Sequence, residues 1–232
     1  MRALNIEFGN KLAILAGDFL LARASVTLAS LRDVDVIMLL STVIENLVTG
    51  EVMQMTAKPE ELVSWEHYAR KTHYKTAALI AKSCKAVALL DPDVASDGAP
   101  EAAYEYGRHL GLAFQYVDDV LDFTGSALSL GKPALNDLRS GIATAPVLYA
   151  AAQFPALTKL AQRRFKQDGD VEQARAWVAD SDGVARAREL AAAHAAQARD
   201  ALDAFPPAAT EHAATARAGL LELTHRVLRR TK

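Results

Sequence analysis

Helical periodicity runs through almost the whole chain and constrains its fold more than any other feature. Apolar residues recur three and four positions apart, and the few glycines and prolines fall mainly at breaks between these stretches. This spacing places apolar side chains on one face of a helix. No stretch alternates apolar and polar residues as a half-buried strand does. The sequence therefore predicts an all-α protein.

The pattern divides the chain into a series of helices within one domain, residues 1–232. The predicted helices are Leu12–Leu31, Val34–Glu51, Leu62–Leu90, Glu101–Phe123, Ile142–Gln153, Leu157–Phe165, Val171–Ala179, Val184–Ala204 and His212–Arg230. Loops rich in turn residues are expected at 91–100 and 126–137. The alanine-rich helix from Val184 has two explanations that both stay open, because alanine is the best helix former and also allows close packing.

Composition excludes several classes of function. About half of the 232 residues are hydrophobic and the formal net charge is −2, so no basic surface for nucleic acid is expected. Uninterrupted apolar runs fall far short of the roughly 18 residues that span a bilayer. No signal peptide is visible, because the N-terminus runs directly into a helical pattern. Cys84 is the only cysteine, which excludes an intrachain disulfide and favours a reducing compartment.

The stretch FQYVDDVLDF places three carboxylates, Asp118, Asp119 and Asp122, in an otherwise apolar helix. A helix that is apolar on most sides is buried, and a buried carboxylate needs a cationic or hydrogen-bonding partner. One interpretation is salt bridges to neighbouring helices or a solvated edge. The other is a hard divalent cation such as Mg²⁺, which takes oxygen ligands and shares a phosphate-bearing substrate.

The second interpretation requires basic residues for the far side of the phosphates, and the chain contains candidates. In KTHYKTAA, Lys71 and Lys75 are four apart on one helix face, with Thr76 beside the second lysine. In LGKPALNDLRSG, Lys132 and Arg139 follow the aspartates. Lysine pairs at this spacing usually form a solvated face, so these residues carry weight only jointly.

The combination of motifs resembles one family. The chain contains FGNKLAILAGDFLLARAS, GEVMQ, KTHYKTAALIAKSCKAVALL, GLAFQYVDDVLDF and LGKPALNDLRSGIATAPVLYA, in this order. A DDxxD motif alone is weak, whereas FQ before DDxxD, followed by GKP and DLR, is specific. In these motifs the chain resembles the trans-polyprenyl diphosphate synthases, above all the long-chain mitochondrial type that makes the side chain of ubiquinone.

This resemblance implies a fold and an activity. The fold is an antiparallel helical bundle of the isoprenoid synthase type, usually dimeric, so we expect a homo- or hetero-oligomer. The activity condenses an allylic diphosphate with isopentenyl diphosphate, with Mg²⁺ as cofactor. Mitochondrial location is expected by resemblance, with plastid or cytoplasm as alternatives. The long hydrocarbon product makes peripheral contact with a membrane plausible.

The resemblance also implies roles for individual residues. Asp118, Asp119 and Asp122 would bind metal, with Asp118 counted among the catalytic residues. The other implied site residues are Lys75 and Lys132 at the allylic diphosphate, Thr76 and Gln115 at the carbocation, and Arg139 near the diphosphate tail. Glu51 and Gln54 match the family's GExxQ segment and would support the cavity wall, or form an ordinary polar pair.

One departure from the family pattern is serious. Members carry a first aspartate-rich motif and an arginine pair on an earlier helix, and the match at Asn5 places both before Met1. Asp33 and Asp35 have the wrong spacing to replace that motif. Two hypotheses follow: a synthase whose N-terminal part is absent from these 232 residues, or a non-catalytic subunit that partners a complete synthase. In either case, we expect the chain alone to expose apolar surface and to have little or no synthase activity.

Overall fold

The computed structural model describes residues 3–92, 98–125, 135–205, 207–208 and 210–231. This part of the chain contains α-helices and no strand, which confirms the all-α prediction. The helices are α1 (Leu4–Ser30), α2 (Val34–Thr56), α3 (Trp65–Thr72), α4 (Ala78–Leu89), α5 (Ala99–Thr124), α6 (Asn136–Arg139), α7 (Ala145–Gln153), α8 (Ala156–Gln162), α9 (Asp170–Ala179), α10 (Gly183–Leu202) and α11 (Glu211–Arg229).

The predicted helix Leu62–Leu90 is not continuous. It comprises a 3₁₀ turn at Glu61–Val63, α3, a π-helical turn at His73–Ala77, and α4. A π turn adds one residue to the helix and changes the direction of the side chains on either side of it, which is common at functional sites. Within the predicted loop 126–137 and just beyond it, the structure places the short helix α6.

Helix α5 is the centre of the bundle and packs most extensively against α10 and α4. The face of α10 toward the core is a row of fully buried alanines, which includes Ala187, Ala191 and Ala195. Close packing therefore accounts for these alanines, in addition to their high helix propensity.

Helices α4 and α5 cross at very short range, and two glycines make this possible. A Cβ added at Gly107 would lie 2.7 Å from the Cα of Ala81, and one at Gly111 would lie 2.7 Å from the Cα of Ala77. Both distances are far below van der Waals contact, and the obstructing atoms belong to the backbone of α4 and of the π turn before it. The crossing thus holds the π turn of α4 beside the C-terminal half of α5.

Helices α1 and α2 are covered far less than the rest. None of the residues of α1 is buried, and large apolar side chains such as Ile14, Phe19 and Leu20 are more than 60% exposed. By length and mean hydropathy each of these helices is suited to cross a membrane, which the short uninterrupted runs did not indicate. Core helices and signal sequences meet the same criteria of length and hydropathy. Helix α1 also carries the charged residues Lys11 and Asp18.

We expect Gly107→Ala to destabilise the protein by about 1–3 kcal/mol, because the added methyl group forces α4 and α5 apart. Gly219→Ala in α11 is the matched control, since a Cβ there meets nothing within 4 Å. The control should leave stability unchanged or raise it by up to about 1 kcal/mol, as alanine is the better helix former. Urea denaturation measures both. Equal stability of the two variants would contradict the close crossing.

Candidate active site

A cavity of about 140 Å³ lies between the end of α2, the α3–α4 segment, α5 and the chain after α6. The residues that line it are mostly polar: Gln54, Tyr68, Lys71, Thr72, Lys75, Thr76, Gln115, Asp119, Asp137, Ile142 and Thr144. Four of the residues predicted for the site or its wall therefore meet here at one cavity together with Asp119, although they come from three separate helical segments.

The predicted diphosphate contact Lys75 lies in the π turn and faces the end of α2. Its ammonium lies 2.7 Å from the Oε1 carboxylate oxygen of Glu51 and donates a hydrogen bond of 3.0 Å to Oε1 of Gln54. Gly50 allows the approach, because a Cβ there would lie 2.7 Å from Cγ of Lys75. The GExxQ segment thus holds the lysine in place.

A chain of hydrogen bonds crosses the cavity from the π turn to α3 through α5. The Thr76 hydroxyl donates to Oε1 of Gln115 at 2.9 Å, and Nε2 of Gln115 donates to Oδ1 of Asp119 at 2.8 Å. The other oxygen of Asp119 accepts a hydrogen bond from the Tyr68 hydroxyl. The chain fixes the amide of Gln115 and both oxygens of Asp119.

Burial dominates the electrostatics of Asp119, whose side chain is 2% exposed. Desolvation raises the pKa of this carboxyl to about 6, against the opposing effect of the hydrogen bonds from Tyr68 and Gln115 and of the nearby Lys71 charge. The same carboxylate and burial raise the pKa of the Tyr68 hydroxyl well above its usual value. Near neutral pH a cationic ligand in the cavity would favour the ionised form of Asp119.

Asp122 is fully buried and anchors the start of α6. Its Oδ1 accepts from the backbone N–H of Asn136 and its Oδ2 from that of Asp137, both at 3.1 Å. The backbone N–H groups at a helix N-terminus have no partner within the helix, and a carboxylate there also interacts favourably with the helix dipole. Each oxygen of Asp122 thus accepts one backbone hydrogen bond, and the side chain ties α6 to α5.

Asp118 lies at the rim and pairs with the end of the chain. Nη2 of Arg230 donates to its Oδ1 at 3.0 Å, and the guanidinium also covers the ring of Phe114, with 3.8 Å between Cζ and the ring centroid. The Asp118 side chain is 35% exposed. This carboxylate can exchange its arginine partner for a cation from solvent without opening the core.

The three aspartates do not converge on a common point. Among the described residues, no group of three or more histidine, cysteine or acidic side chains is placed to hold a metal ion. The reason is that each carboxylate has a different partner: Arg230 for Asp118, side chains of α3 and α5 for Asp119, and the α6 backbone for Asp122. A hard cation fits the partly exposed Asp118 best.

Of the other predicted substrate residues, one does not line the cavity and one is not described by the structure. Lys132 lies outside the described residues. Arg139 is exposed at the last residue of α6 and does not line the cavity. In contrast, the structure adds Tyr68 and Asp137, which the sequence analysis did not select.

The comparisons with known proteins identify the family. The family profile described as polyprenyl synthetase matches residues 1–178. A mitochondrial solanesyl-diphosphate synthase of Oryza sativa subsp. japonica is 49% identical over 230 residues. The chain belongs to the polyprenyl synthetase family. The expected resemblance is therefore confirmed, and so is the isoprenoid synthase type of helical bundle.

Solved structures support the same assignment of fold. The apo form of an Arabidopsis medium/long-chain length prenyl pyrophosphate synthase aligns with a TM-score of 0.87 and 47% identity, over 97% of this chain and 74% of that one. A polyprenyl synthase from Caulobacter crescentus, complexed with calcium and isoprenyl diphosphate, aligns with a TM-score of 0.84 and 31% identity, over 98% and 69%.

The chain spans about half the length of the curated relatives that it matches. The alignment with the Oryza protein covers 99% of this chain but 53% of that protein.

We expect Asp122→Asn to lower the free energy of unfolding by about 1–3 kcal/mol in the absence of metal, because it weakens two buried charge-assisted hydrogen bonds to α6. Asp118→Asn should change it by less than about 1 kcal/mol, since its ion pair is partly exposed. Urea denaturation in EDTA measures both variants. A larger loss from Asp118→Asn than from Asp122→Asn would contradict the assigned anchoring role of Asp122.

Proposed function

We propose that this chain carries the diphosphate-binding half of a prenyltransferase site, in a single polyprenyl synthase domain. In the whole protein this site would condense an allylic diphosphate with isopentenyl diphosphate units to make a long-chain all-trans polyprenyl diphosphate for ubiquinone synthesis. The observation that carries the proposal is the meeting of the Lys75–Thr76 and Gln115–Asp119 pairs at one polar cavity.

The proposed chemistry begins with ionisation of the allylic C–O bond. The diphosphate leaves with the bonding electron pair, the double bond of isopentenyl diphosphate attacks the resulting allylic cation, and a proton is lost from the adduct. Lys75 and Lys132 would donate hydrogen bonds to the departing diphosphate, where fixed cations are worth most because negative charge grows there. Arg139 keeps a role only at the outer tail of the diphosphate.

Oxygen dipoles would stabilise the cation. The Thr76 hydroxyl donates its hydrogen bond to the Gln115 amide oxygen. The lone pairs of the hydroxyl oxygen therefore remain available to face the allylic carbon. Gln115 is itself held by Asp119. This preorganised arrangement costs no reorganisation when charge develops.

Only some of the three aspartates on α5 are placed to bind Mg²⁺ directly. Asp118 would be its protein ligand, with Asp119 beside it, while Asp122 supports the site through α6. Bound Mg²⁺ would neutralise charge on the diphosphate and favour its departure. The Caulobacter relative, solved with calcium and isoprenyl diphosphate, supports a divalent cation in this family.

A non-catalytic partner subunit is not favoured. The relatives with 43–49% identity over nearly the whole chain carry the names of synthases, and a subunit without catalysis has no need for a buried carboxylate beside lysines. Relatives named as mitochondrial, such as the Oryza protein, support a mitochondrial location.

The decisive experiment titrates the chain with geranyl diphosphate, an allylic diphosphate, in Mg²⁺ and in EDTA. We expect binding that requires Mg²⁺, and about tenfold or more weaker binding for Asp118→Asn, because a charged ligand is lost. Asp180→Asn, at an exposed position after α9, is the matched control. Turnover with isopentenyl diphosphate should be low in this chain alone. Binding of geranyl diphosphate that does not depend on Mg²⁺ would contradict the proposal, and so would a complete lack of binding.

We also propose that α1 and α2 form the interface of an oligomer, with a second copy of this chain as partner. Their exposed apolar surface is extensive, and monomeric soluble proteins rarely expose such large patches. Peripheral membrane contact through the same surface is the competing outcome.

The double variant Ile14→Glu/Phe19→Glu should shift the chain toward monomer in sedimentation velocity, because two charges enter the apolar interface. Leu223→Glu in α11 is the control, since this leucine is also exposed but lies outside the proposed interface. A monomeric wild-type chain that binds lipid vesicles would instead assign the surface to a membrane.

A further inference from the structure

Lys71 in α3 is the one cavity lysine whose role the proposed mechanism leaves open. It lines the cavity beside Lys75 and Asp119. Among the described residues its ammonium makes no hydrogen bond and no ion pair, and its nearest aromatic contact is the ring of Tyr68, 5.6 Å from Nζ to the centroid. Burial lowers the pKa of this ammonium, so the surroundings do not fully replace its lost water.

Lys75 presents the opposite situation. Its ammonium is already held by Glu51 and Gln54, at 2.7 and 3.0 Å. A diphosphate must compete with a carboxylate for this lysine. Among the described residues, no carboxylate competes for Lys71 in this way. The acidic side chains of its cavity, Asp119 and Asp137, lie beyond ion-pair distance from its Nζ. Their charges act on Lys71 only at longer range.

Lys71 also borders a second, roughly water-sized space beside the cavity. It lines both the cavity described above and a second, adjoining one that reaches Arg164 and Glu61. The two cavities share Gln54, Tyr68 and Ile142 as well. Lys71 therefore stands where the two spaces meet, about one helical turn before Lys75.

We propose that Lys71 binds a phosphate group of the diphosphate as an unpaired cation among the described residues of this site, while Lys75 is a cation already balanced by α2. The inference rests on the proposed function, because it assigns a further residue to the same ligand. An unpaired ammonium in a partly buried cavity is costly to the folded protein. A bound diphosphate converts this cost into affinity, since hydrogen bonds between charged groups are the strongest kind.

This assignment predicts two opposite effects of removing the charge. Lys71→Gln should weaken binding of the ligand and at the same time stabilise the ligand-free protein, because no partner is left behind. A lysine with a structural role would do the reverse and lose stability. Lys71→Arg keeps the charge and should retain most of the affinity.

The test measures calorimetric binding of inorganic pyrophosphate with Mg²⁺ to the 232-residue chain, and thermal unfolding without ligand. We expect Lys71→Gln to bind about 10- to 100-fold more weakly and to unfold at a temperature about 2–4 °C higher. Lys85→Gln in α4 is the control, because Lys85 pairs with the exposed Glu101 outside the cavity; it should match the wild type in binding.

Each outcome decides the inference. Binding by Lys71→Gln within twofold of the wild type, or a lower unfolding temperature, overturns it while the proposed function stands. If the wild type binds pyrophosphate but not an allylic diphosphate, the proposed function fails, and weaker binding by Lys71→Gln still supports Lys71 as a phosphate-binding residue. A wild-type chain that binds no pyrophosphate overturns both.

Discussion

The free-energy cost of burying carboxylates near the C-terminus of α5 determines which parts of the chain pack around that end of the helix. Asp119 and Asp122 are almost completely removed from water, and a buried carboxylate without partners would cost several kcal/mol. Each therefore recruits a different element: Tyr68 of α3 for Asp119 and the α6 backbone for Asp122. Asp118 at the rim takes the terminal Arg230. Three neighbouring charges on one helix thus fix three distant parts of the chain.

Lys71 and Lys75 line the same cavity as Asp119, but the two lysines differ in how their charges are balanced. The pair formed by Lys75 and Glu51 is self-contained, whereas Lys71 and Asp119 both have pKa values displaced toward the uncharged form by burial. In this cavity an ammonium and a carboxyl are both partly desolvated. Such a cavity favours a ligand that brings negative phosphates and a positive ion together. The same arrangement would be unfavourable in a purely structural core.

Much of this could be read from the sequence, because helical periodicity and motif spacing are local properties. The helices follow from such patterns, whereas the shared site of Thr76 and Gln115 was expected only from the family resemblance. The π turn at His73–Ala77 does not follow from such patterns, since it depends on how α4 packs against α2 and α5. The engagement of Asp122 by backbone 14 residues later and of Asp118 by Arg230, 112 residues later, was equally hidden. Sequence spacing placed three carboxylates on one face but could not show that each had its own partner.

The same reasoning applies to α1, where the sequence shows an apolar helix but not its neighbours. A helix that is apolar all round is normally buried all round. In the described structure α2 is its nearest partner in the chain, yet every side of α1 keeps exposed apolar residues. One neighbouring helix covers only one stripe, so burial of α1 takes at least two more packing surfaces. Helix α2 also carries Glu51 and Gln54, which contact Lys75. In the proposed oligomer, α2 would therefore connect the interface with the diphosphate site.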